Sequence, residues 1–278
     1  MKSPKILLLV GHGLYQPWID ILHEGQRKTW LNWTLPEGMQ VIHSHGTPVK
    51  KFGQLIDKFH EKCRWTNRWT ALGLEYLDRG LAFPFKNFIP RVSNSELLVI
   101  EQESIHVHIP DTYFTQAWQN LAIFNHFLNK TDADFLFSTT TSSLIKPKSL
   151  QLAVKKFDLS LPVYAGVIPY EGARFAAGNN RLLSRKAIEL IIKNRNQLNF
   201  GKIEDLGIGN LLSTLGVPLV GMPSLHISSF SELDDAERSG RIESNFHIRV
   251  KSGPLQKRDD VALMKEIFVR LEKSGGLL

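Results

Sequence analysis

Residues 6–13 read Ile-Leu-Leu-Leu-Val-Gly-His-Gly, a continuous apolar run that ends at a glycine. An apolar run without alternation is typical of a strand that is buried on both faces, as in a parallel sheet. Downstream, the spacing of apolar residues predicts a helix over residues 18–30, and residues 40–44 predict a second strand. This strand–helix–strand order is a common beginning of nucleotide-binding α/β sheets.

The rest of the chain continues the alternation of strands and helices. Asp111 and Ser184 are N-cap candidates for two helices, and Gly216 is the expected stop of another. The acidic stretch 232–237 is predicted to be a solvated loop. We predict strands near residues 97–100, 106–109, 134–137, 163–167, 217–220 and 245–251, and helices over residues 112–128, 184–194, 203–215 and 259–271 and from residue 147.

The composition restricts the class of protein. With 278 residues, of which 42% are hydrophobic, the chain can bury a large core. The single Cys63 excludes an internal disulfide framework and fits a reducing compartment. No signal-peptide core and no run of roughly 20 apolar residues is visible. We therefore expect a cytoplasmic protein, at most peripheral to the inner face of a membrane.

The net charge of +7 has two interpretations. One is a generally basic surface, and the other is a partner rich in phosphate or carboxylate, such as a nucleotide diphosphate, an acidic glycan or an anionic lipid surface. Residues 58–69 interleave Lys and Arg with Trp65 and Trp69, a pattern that also serves single-stranded nucleic acid binding. A helix that buries its Trp residues is the favoured interpretation, so no nucleic-acid partner is expected.

Four separated blocks carry more specific information, and a Phe-His pair at residues 246–247 follows them. In chain order they are Pro-Asp-Thr-Tyr at 110–113; Phe-Leu-Phe-Ser-Thr-Thr-Thr-Ser-Ser-Leu-Ile at 135–145; Tyr-Ala-Gly at 164–166 with Ala-Gly-Asn-Asn at 177–180 and Leu-Ser-Arg-Lys-Ala at 183–187; and Glu-Asp-Leu-Gly-Ile-Gly at 204–209 with Leu-Gly-Val at 215–217. Together they resemble the GT-A glycosyltransferases, especially the fringe and β-1,3-galactosyltransferase group, over about half of the chain, from Pro110 to Lys257. The fourth block is the most specific, because an acidic pair, two glycines and a Leu-Gly helix end recur in one order.

The resemblance implies a GT-A-like fold, Rossmann-type, with a mixed, mostly parallel sheet flanked by helices. In the family, the strand of the second block ends in the DxD aspartates, which hold a divalent cation against the donor diphosphate. Here Thr140, Thr141 and Ser142 occupy the matching positions. Gln119 stands at or near the place of a lysine that is usual in the family. His247 matches a histidine that ligates the metal in many relatives.

An inverting transferase needs a base that removes the proton of the acceptor hydroxyl. Asp205 fits this role, and Glu204 could orient it or bind an acceptor hydroxyl. The alternative is that both acids only cap a helix, whose N-terminus favours negative charge. The resemblance assigns acceptor binding to the loop that contains Gly178, Asn179 and Asn180.

The leaving diphosphate needs positive charge, and three explanations stay open. The first choice is a metal-independent enzyme in which basic side chains stabilise the departing phosphate. The second is Mn²⁺ or Mg²⁺ on weaker ligands, helped by His247, and the third is a fold relative that no longer catalyses. The basic side chains considered are Lys251, Lys257, Arg258, Arg181 and Arg185.

The remaining candidates are weaker patterns. Gly11 and His12 follow the first strand and could contact the nucleotide, because ligands gather at the carboxyl ends of parallel strands. His106 and His108 share a face of a strand, but no third ligand is spaced nearby, so we interpret them as structural. Ser142 lacks a surrounding Gly-x-Ser-x-Gly elbow, so a hydrolase triad is not supported.

The sequence therefore predicts a single GT-A-like domain over residues 1–278, with a nucleotide-sugar half over 1–143 and an acceptor half over 144–278. The expected donor is a UDP-sugar, the expected acceptor is a glycan or glycolipid, and no cofactor beyond the nucleotide-sugar is required. One rival hypothesis is a non-catalytic carbohydrate- or nucleotide-binding module of the same fold. The other is a nucleic-acid-binding protein.

Overall fold

The first apolar run forms the inner strand β1 (Ile6–Gly11), which lies between β2 (Met39–Thr47) and β5 (Phe135–Thr140) and is parallel to both. Its side chains alternate between two buried cores, with Leu7 in one and Leu8 in the other. The prediction of a strand buried on both faces is confirmed.

The computed structural model describes residues 3–48, 98–101, 104–111, 115–200, 203–252 and 258–274. The segment 58–69, Tyr113 and Lys257 lie outside these residues, so what was predicted for them stays a prediction. The other described strands are β3 (Leu98–Glu101), β4 (Ser104–Pro110), β6 (Ser143–Ile145), β7 (Tyr164–Gly166), β8 (Asn180–Ser184), β9 (Leu219–Gly221), β10 (Leu225–Ile227) and β11 (His247–Val250).

These strands form two sheets. The larger has eight strands in the order β3-β4-β2-β1-β5-β8-β7-β9, and the smaller has the order β10-β11-β6. In the larger sheet β3 and β8 run against their neighbours, and the remaining strands are parallel to one another. The predicted mixed, mostly parallel sheet is confirmed.

Helices cover both faces of the larger sheet. The helices of the described residues are α1 (Trp18–Asp20), α2 (Gln116–Lys130), α3 (Pro147–Val154), α4 (Arg185–Lys193), α5 (Glu204–Thr214), α6 (Phe230–Arg238), α7 (Arg241–Ser244) and α8 (Asp260–Lys273). Helices α2, α4 and α5 contribute to one core, and the smaller sheet with α6 and α8 contributes to the other. Within the described ranges, no helix is both long and apolar enough to cross a membrane.

The predicted helix over residues 18–30 is an irregular helical segment. After α1 the chain forms a π turn over Ile21–Gly25 and 3-10 turns over Gln26–Lys28 and Trp30–Asn32. Gln26 Nε2 donates to the carbonyl of Ser143 at 2.8 Å, and Trp30 Nε1 donates to the same carbonyl at 3.1 Å. These contacts to the start of β6 accompany the irregular helical geometry, which apolar spacing does not predict.

Two local predictions are wrong and two are confirmed. The acidic stretch 232–237 lies in α6 rather than in a loop, because Ser229 caps the helix and Leu233 is buried. Asp111 does not cap α2, which begins after Thr115. Ser184 accepts a hydrogen bond from the Ala187 amide at 3.3 Å and so caps α4, and Gly216 ends α5 with a φ of 75°.

Candidate functional site

The carboxyl ends of β4, β2, β1 and β5 lie along one edge of the larger sheet, which we call the carboxyl edge. From β1 the sheet extends on one side to β2 and β4 and on the other to β5, and ligands bind at such a switch point in α/β sheets. Gly11 at the end of β1 is paired with Thr140 at the end of β5. Thr139 is paired with Asn180 on the antiparallel strand β8. Candidates from the first strand and from the second and third sequence blocks therefore meet at this edge.

The acid pair, Glu204 and Asp205, begins α5. Asp205 Oδ2 accepts a hydrogen bond from the Gly178 amide at 2.9 Å, which ties α5 to the predicted acceptor loop. Arg181 Nη1 lies 2.5 Å from Glu204 Oε1 and 3.5 Å from Asp205 Oδ1. No side chain caps this helix. The acid pair is thus engaged by the acceptor loop and by β8, which the capping alternative does not explain.

Two glycines allow this close approach. A Cβ on Gly178 would lie 2.6 Å from Asp205 Oδ1, and a Cβ on Gly209 would lie 2.4 Å from Cβ of Phe175. Both distances are shorter than side chains tolerate, so the acceptor loop rests directly on α5. The glycines of the third and fourth sequence blocks therefore serve the same contact.

The two acids differ in environment. The side chain of Glu204 is 5% exposed, whereas that of Asp205 is 25% exposed. Burial raises the pKa of Glu204 to about 8, against the opposing effect of Arg181 and with a further contribution from Asp205. Burial lowers the pKa of Arg181, but Glu204 and Asp205 more than compensate, so its net shift is upward. Asp205 is therefore the acid that is more accessible to solvent.

Arg181 and Arg185 are both held by the fold. Arg181 is engaged by the acid pair, behind the acceptor loop. Arg185 donates to the carbonyls of Leu128, Thr131 and Ala133 at the end of α2. Both guanidinium groups therefore already have protein partners.

The matching position of the family's metal-binding aspartates lies where β5 passes into β6. Ser142 Oγ accepts a hydrogen bond from Arg258 Nη2 at 2.7 Å, across 116 positions of sequence. Arg258 also pairs with Asp260 and lies over the ring of Trp18 at 4.7 Å. Two residues proposed independently for the donor, Ser142 and Arg258, are thus in contact.

Lys251 follows β11, beside the same connection. The Val250 amide donates to the carbonyl of Ser142 at 2.7 Å, which brings the start of this segment to the end of β5. Lys257 lies outside the described residues. Arg249 on β11 was missed by sequence reasoning, yet its Nη1 donates to Asn179 Oδ1 at 3.3 Å. A basic residue two positions after His247 was the available signal.

The donor set at this position does not fit a divalent cation. Thr140, Thr141 and Ser142 offer neutral hydroxyls, whereas Mg²⁺ and Mn²⁺ favour carboxylate and other strong oxygen ligands. The Ser142 hydroxyl already accepts a hydrogen bond from the guanidinium of Arg258. Among the described residues, no group of three or more His, Cys, Asp or Glu side chains is arranged to hold a metal ion.

His247 is buried between the two sheets. Its Nε2 lies 3.1 Å from Ser143 Oγ, and its Nδ1 lies 2.6 Å from Ser224 Oγ. Burial lowers its pKa to about 3, which keeps the ring neutral. Because both ring nitrogens have hydroxyl partners, coordination of a metal would require the loss of one of these contacts.

Five imidazoles form a continuous row at the other half of the carboxyl edge. Their ring centroids are separated by 6.0 Å between His43 and His12, 5.1 Å between His12 and His45, 4.8 Å between His45 and His106, and 4.6 Å between His106 and His108. Burial lowers the pKa of both His12 and His43 to about 4. We call these five residues the histidine row. Sequence spacing predicted only the His106–His108 pair, because the other members come from β2 and the end of β1.

Comparison with known proteins gives distant structural likenesses. No family model and no curated protein matches the chain. A glycosyltransferase involved in glycosylation of the major capsid of PBCV-1 is 8% identical with a TM-score of 0.47, over 95% of this chain and 99% of that chain. The mannosyltransferase PcManGT from Pyrobaculum calidifontis, in complex with GDP-Man and Mn²⁺, is 9% identical with a TM-score of 0.43, over 99% and 65%.

The glycosyltransferase GlyE from Streptococcus pneumoniae TIGR4 is 7% identical with a TM-score of 0.38, and the match covers 99% of this chain. The chain spans 64% of the length of that protein. At these identities and scores, the argument for function rests on the geometry of the site.

Proposed function

We propose that the protein is a glycosyltransferase of the GT-A type, which transfers a sugar from a nucleotide-sugar to a hydroxyl of its acceptor. The observation that carries the proposal is the partly exposed carboxylate of Asp205, held by the Gly178 amide beside the carboxyl edge. The sequence resemblance also supports it, because the second, third and fourth blocks contribute Thr140, Gly178 and Asp205 at or beside this edge.

In the proposed reaction Asp205 is the general base. The acceptor O–H bond breaks, and its proton passes to Asp205 as the oxygen forms a bond to the anomeric carbon of the sugar. The bond from that carbon to the diphosphate oxygen breaks, and its electron pair leaves with the diphosphate. Attack from the face opposite to the leaving group gives inversion. A positioned base of this kind contributes about 10²- to 10⁴-fold to a rate.

The donor is assigned to the end of β1 and the β5–β6 connection, with Gly11, His12, Thr140 and Thr141 beside the nucleotide. The proposed counter-charges of the departing diphosphate are Arg258, Lys251 and Lys257. The contact between Arg258 and Ser142 supports this assignment, because it brings a guanidinium to the position of the family's metal ligands. The proposed enzyme is accordingly metal-independent.

The proposed donor is a UDP-sugar, on the resemblance alone, and the proposed acceptor is a glycan or glycolipid bound over Gly178, Asn179 and Asn180. The cytoplasm, at most the inner face of a membrane, is the proposed location. One observation favours a second candidate, a non-catalytic sugar- or nucleotide-binding module. Arg258 is already paired with Asp260, so a departing diphosphate would compete for its charge.

A panel of nucleotide-sugars tests the proposal by thermal shift and donor hydrolysis, with Mn²⁺ and again with EDTA. A ligand of the native state raises the melting temperature by mass action, so the donor should stand out. The proposal expects a shift and slow hydrolysis that both survive EDTA. Asp205→Asn should retain the shift and lose roughly 10²-fold or more of the hydrolysis.

The matched control is Asp235→Asn, which changes an exposed acid on α6 that pairs with Arg238. It should change neither readout. A shift without hydrolysis in the wild type would favour the binding module. The absence of a shift with every nucleotide, with and without metal, would refute the donor site.

A further inference from the structure

Two carboxyl groups face one guanidinium in a buried cluster at the start of α5. Arg181 on β8 and Glu204 have side chains that are 2% and 5% exposed, and Asp205 lies 3.5 Å from the same guanidinium nitrogen. Among the described residues, Tyr164 on β7 also faces the cluster. Its hydroxyl accepts a hydrogen bond from the Ala176 amide at 2.7 Å, and burial raises its pKa, so it adds no charge.

The charges of this cluster do not balance if every group is ionised. One guanidinium would then meet two carboxylates, which leaves one negative charge in excess at a mostly buried position. Excess buried charge is costly, and proteins usually remove it by a change of protonation. One proton shared by the acid pair leaves the cluster neutral.

The proximity of the two acids points to the same proton. Glu204 Oε1 and Asp205 Oδ1 lie 2.5 Å and 3.5 Å from the same nitrogen, Nη1 of Arg181. Two ionised carboxylates that share one site repel each other, and a proton on one of them removes the repulsion.

The surroundings decide which acid carries the proton. Asp205 accepts the Gly178 amide and reaches solvent, and both features favour its charged form. Glu204 is buried, and burial favours its neutral form. A neutral Glu204 still accepts the hydrogen bond from Arg181 at Oε1.

We propose that Glu204 and Asp205 share one proton beside the charged guanidinium of Arg181. Glu204 is then a neutral positioning residue, and Asp205 is the ionised acid of the pair. The existence of the shared proton does not depend on the proposed function. Its consequence for catalysis does rest on that function: Arg181 and Glu204 act through Asp205, and they hold its carboxylate ready for the acceptor proton.

Carboxyl ¹³C NMR of the full chain, labelled at Asp and Glu and titrated without substrate, tests the shared proton. The expected result is a Glu signal that titrates above pH 7 and is absent in Glu204→Gln. A Glu204 signal that titrates near the ordinary carboxylate value of about 4 would overturn the proposal.

A kinetic arm separates this proposal from the proposed function. Gln resembles the neutral form of Glu, so Glu204→Gln should keep donor hydrolysis within about 10-fold of the wild type, whereas Asp205→Asn should lose 10²-fold or more. Any step above pH 7 in the pH–rate profile of the wild type should be absent in Glu204→Gln, because the amide does not titrate. A loss in Glu204→Gln as large as that in Asp205→Asn would overturn the assignment of a neutral Glu204. Absence of hydrolysis in the wild type would refute the enzyme and leave the NMR result to decide the shared proton.

Discussion

The two halves of the carboxyl edge withdraw polar side chains from water in different ways. The histidine row lies at β1, β2 and β4, and the acid pair with Arg181 lies at β8 and α5. An imidazole can lose its proton and remain uncharged when it is buried, as the lowered pKa values of His12 and His43 indicate. A guanidinium stays charged in proteins, so Arg181 requires a counter-ion from the chain. In the histidine row, His12 and His43 stay uncharged by losing a proton, whereas Arg181 keeps its charge and is paired with the acid pair.

This difference gives the two halves opposite contributions to the pH dependence of stability. His12 and His43 bind fewer protons when folded than when unfolded between about pH 4 and pH 6.5, so their contribution increases as pH rises through that range. Glu204 binds more protons when folded between about pH 4.5 and pH 8, so its contribution is lost as pH rises toward 8. Between these three groups, stability is expected to be highest at the pH where the gain from His12 and His43 balances the loss from Glu204.

The largest expected effect comes from removing the partner of the acid pair. Arg181→Met removes the guanidinium and leaves the acid pair without its counter-ion, which should lower the free energy of unfolding by about 3–5 kcal/mol. Urea unfolding at pH 7 measures this loss. The control is Arg270→Met, because Arg270 makes its ion pairs with partners that are 40% exposed or more, and surface pairs contribute about 1 kcal/mol or less. Equal losses in the two variants would contradict the buried-pair interpretation.

The second prediction concerns His12 and His43 of the histidine row. In the double substitution His12→Gln and His43→Gln, the two low-pKa imidazoles no longer titrate. Each unit of pKa difference corresponds to about 1.4 kcal/mol, so the wild type should lose a few kcal/mol more than this variant between pH 6.5 and pH 4. Melting temperatures across that range provide the measurement. Parallel curves for both proteins would show that these histidines do not govern the acid limb.

The third prediction moves Asp205 without changing its chemistry. In Gly178→Ala the new Cβ would lie 2.6 Å from Asp205 Oδ1, so the carboxylate must shift. A misplacement of this size should reduce donor hydrolysis by roughly 10- to 100-fold, with little change in the melting temperature. Gly221→Ala is the matched control, since its Cβ would meet only Ile168 at an ordinary 3.6 Å. An unchanged rate in Gly178→Ala would remove Asp205 from the reaction.

The smallest expected effect comes from Ser142, at the β5–β6 connection between the two halves. Ser142→Ala removes the hydroxyl that accepts from Arg258 at 2.7 Å, while the pairing of Arg258 with Asp260 is retained. The expected cost in unfolding free energy is about 1 kcal/mol, the usual contribution of one hydrogen bond. Thermal unfolding measures it, with the exposed Ser244→Ala as the control. A loss of several kcal/mol would indicate that Ser142, rather than Asp260, is the main partner of Arg258.

Several local features could be predicted because neighbouring residues decide them. The apolar run of β1, the Ser184 cap and the Gly216 helix stop all follow from local patterns, and all are confirmed. The helix α6 was missed because its acidic residues obscure the buried Leu233 and Ala236. The strands β6, β8 and β10 were missed as well, because each contains only two apolar residues, too few for a periodic pattern.

The sequence by itself determined the mostly parallel sheet, most of its strands and helices, and the residue types of the acid pair, since these depend on composition and short-range spacing. Only the tertiary structure decided which charges meet. Arg181 is separated from Glu204 by 23 positions, and Arg258 from Ser142 by 116. Burial and long-range contacts set the protonation of Glu204, His12 and His43, and neither is a property of neighbouring residues.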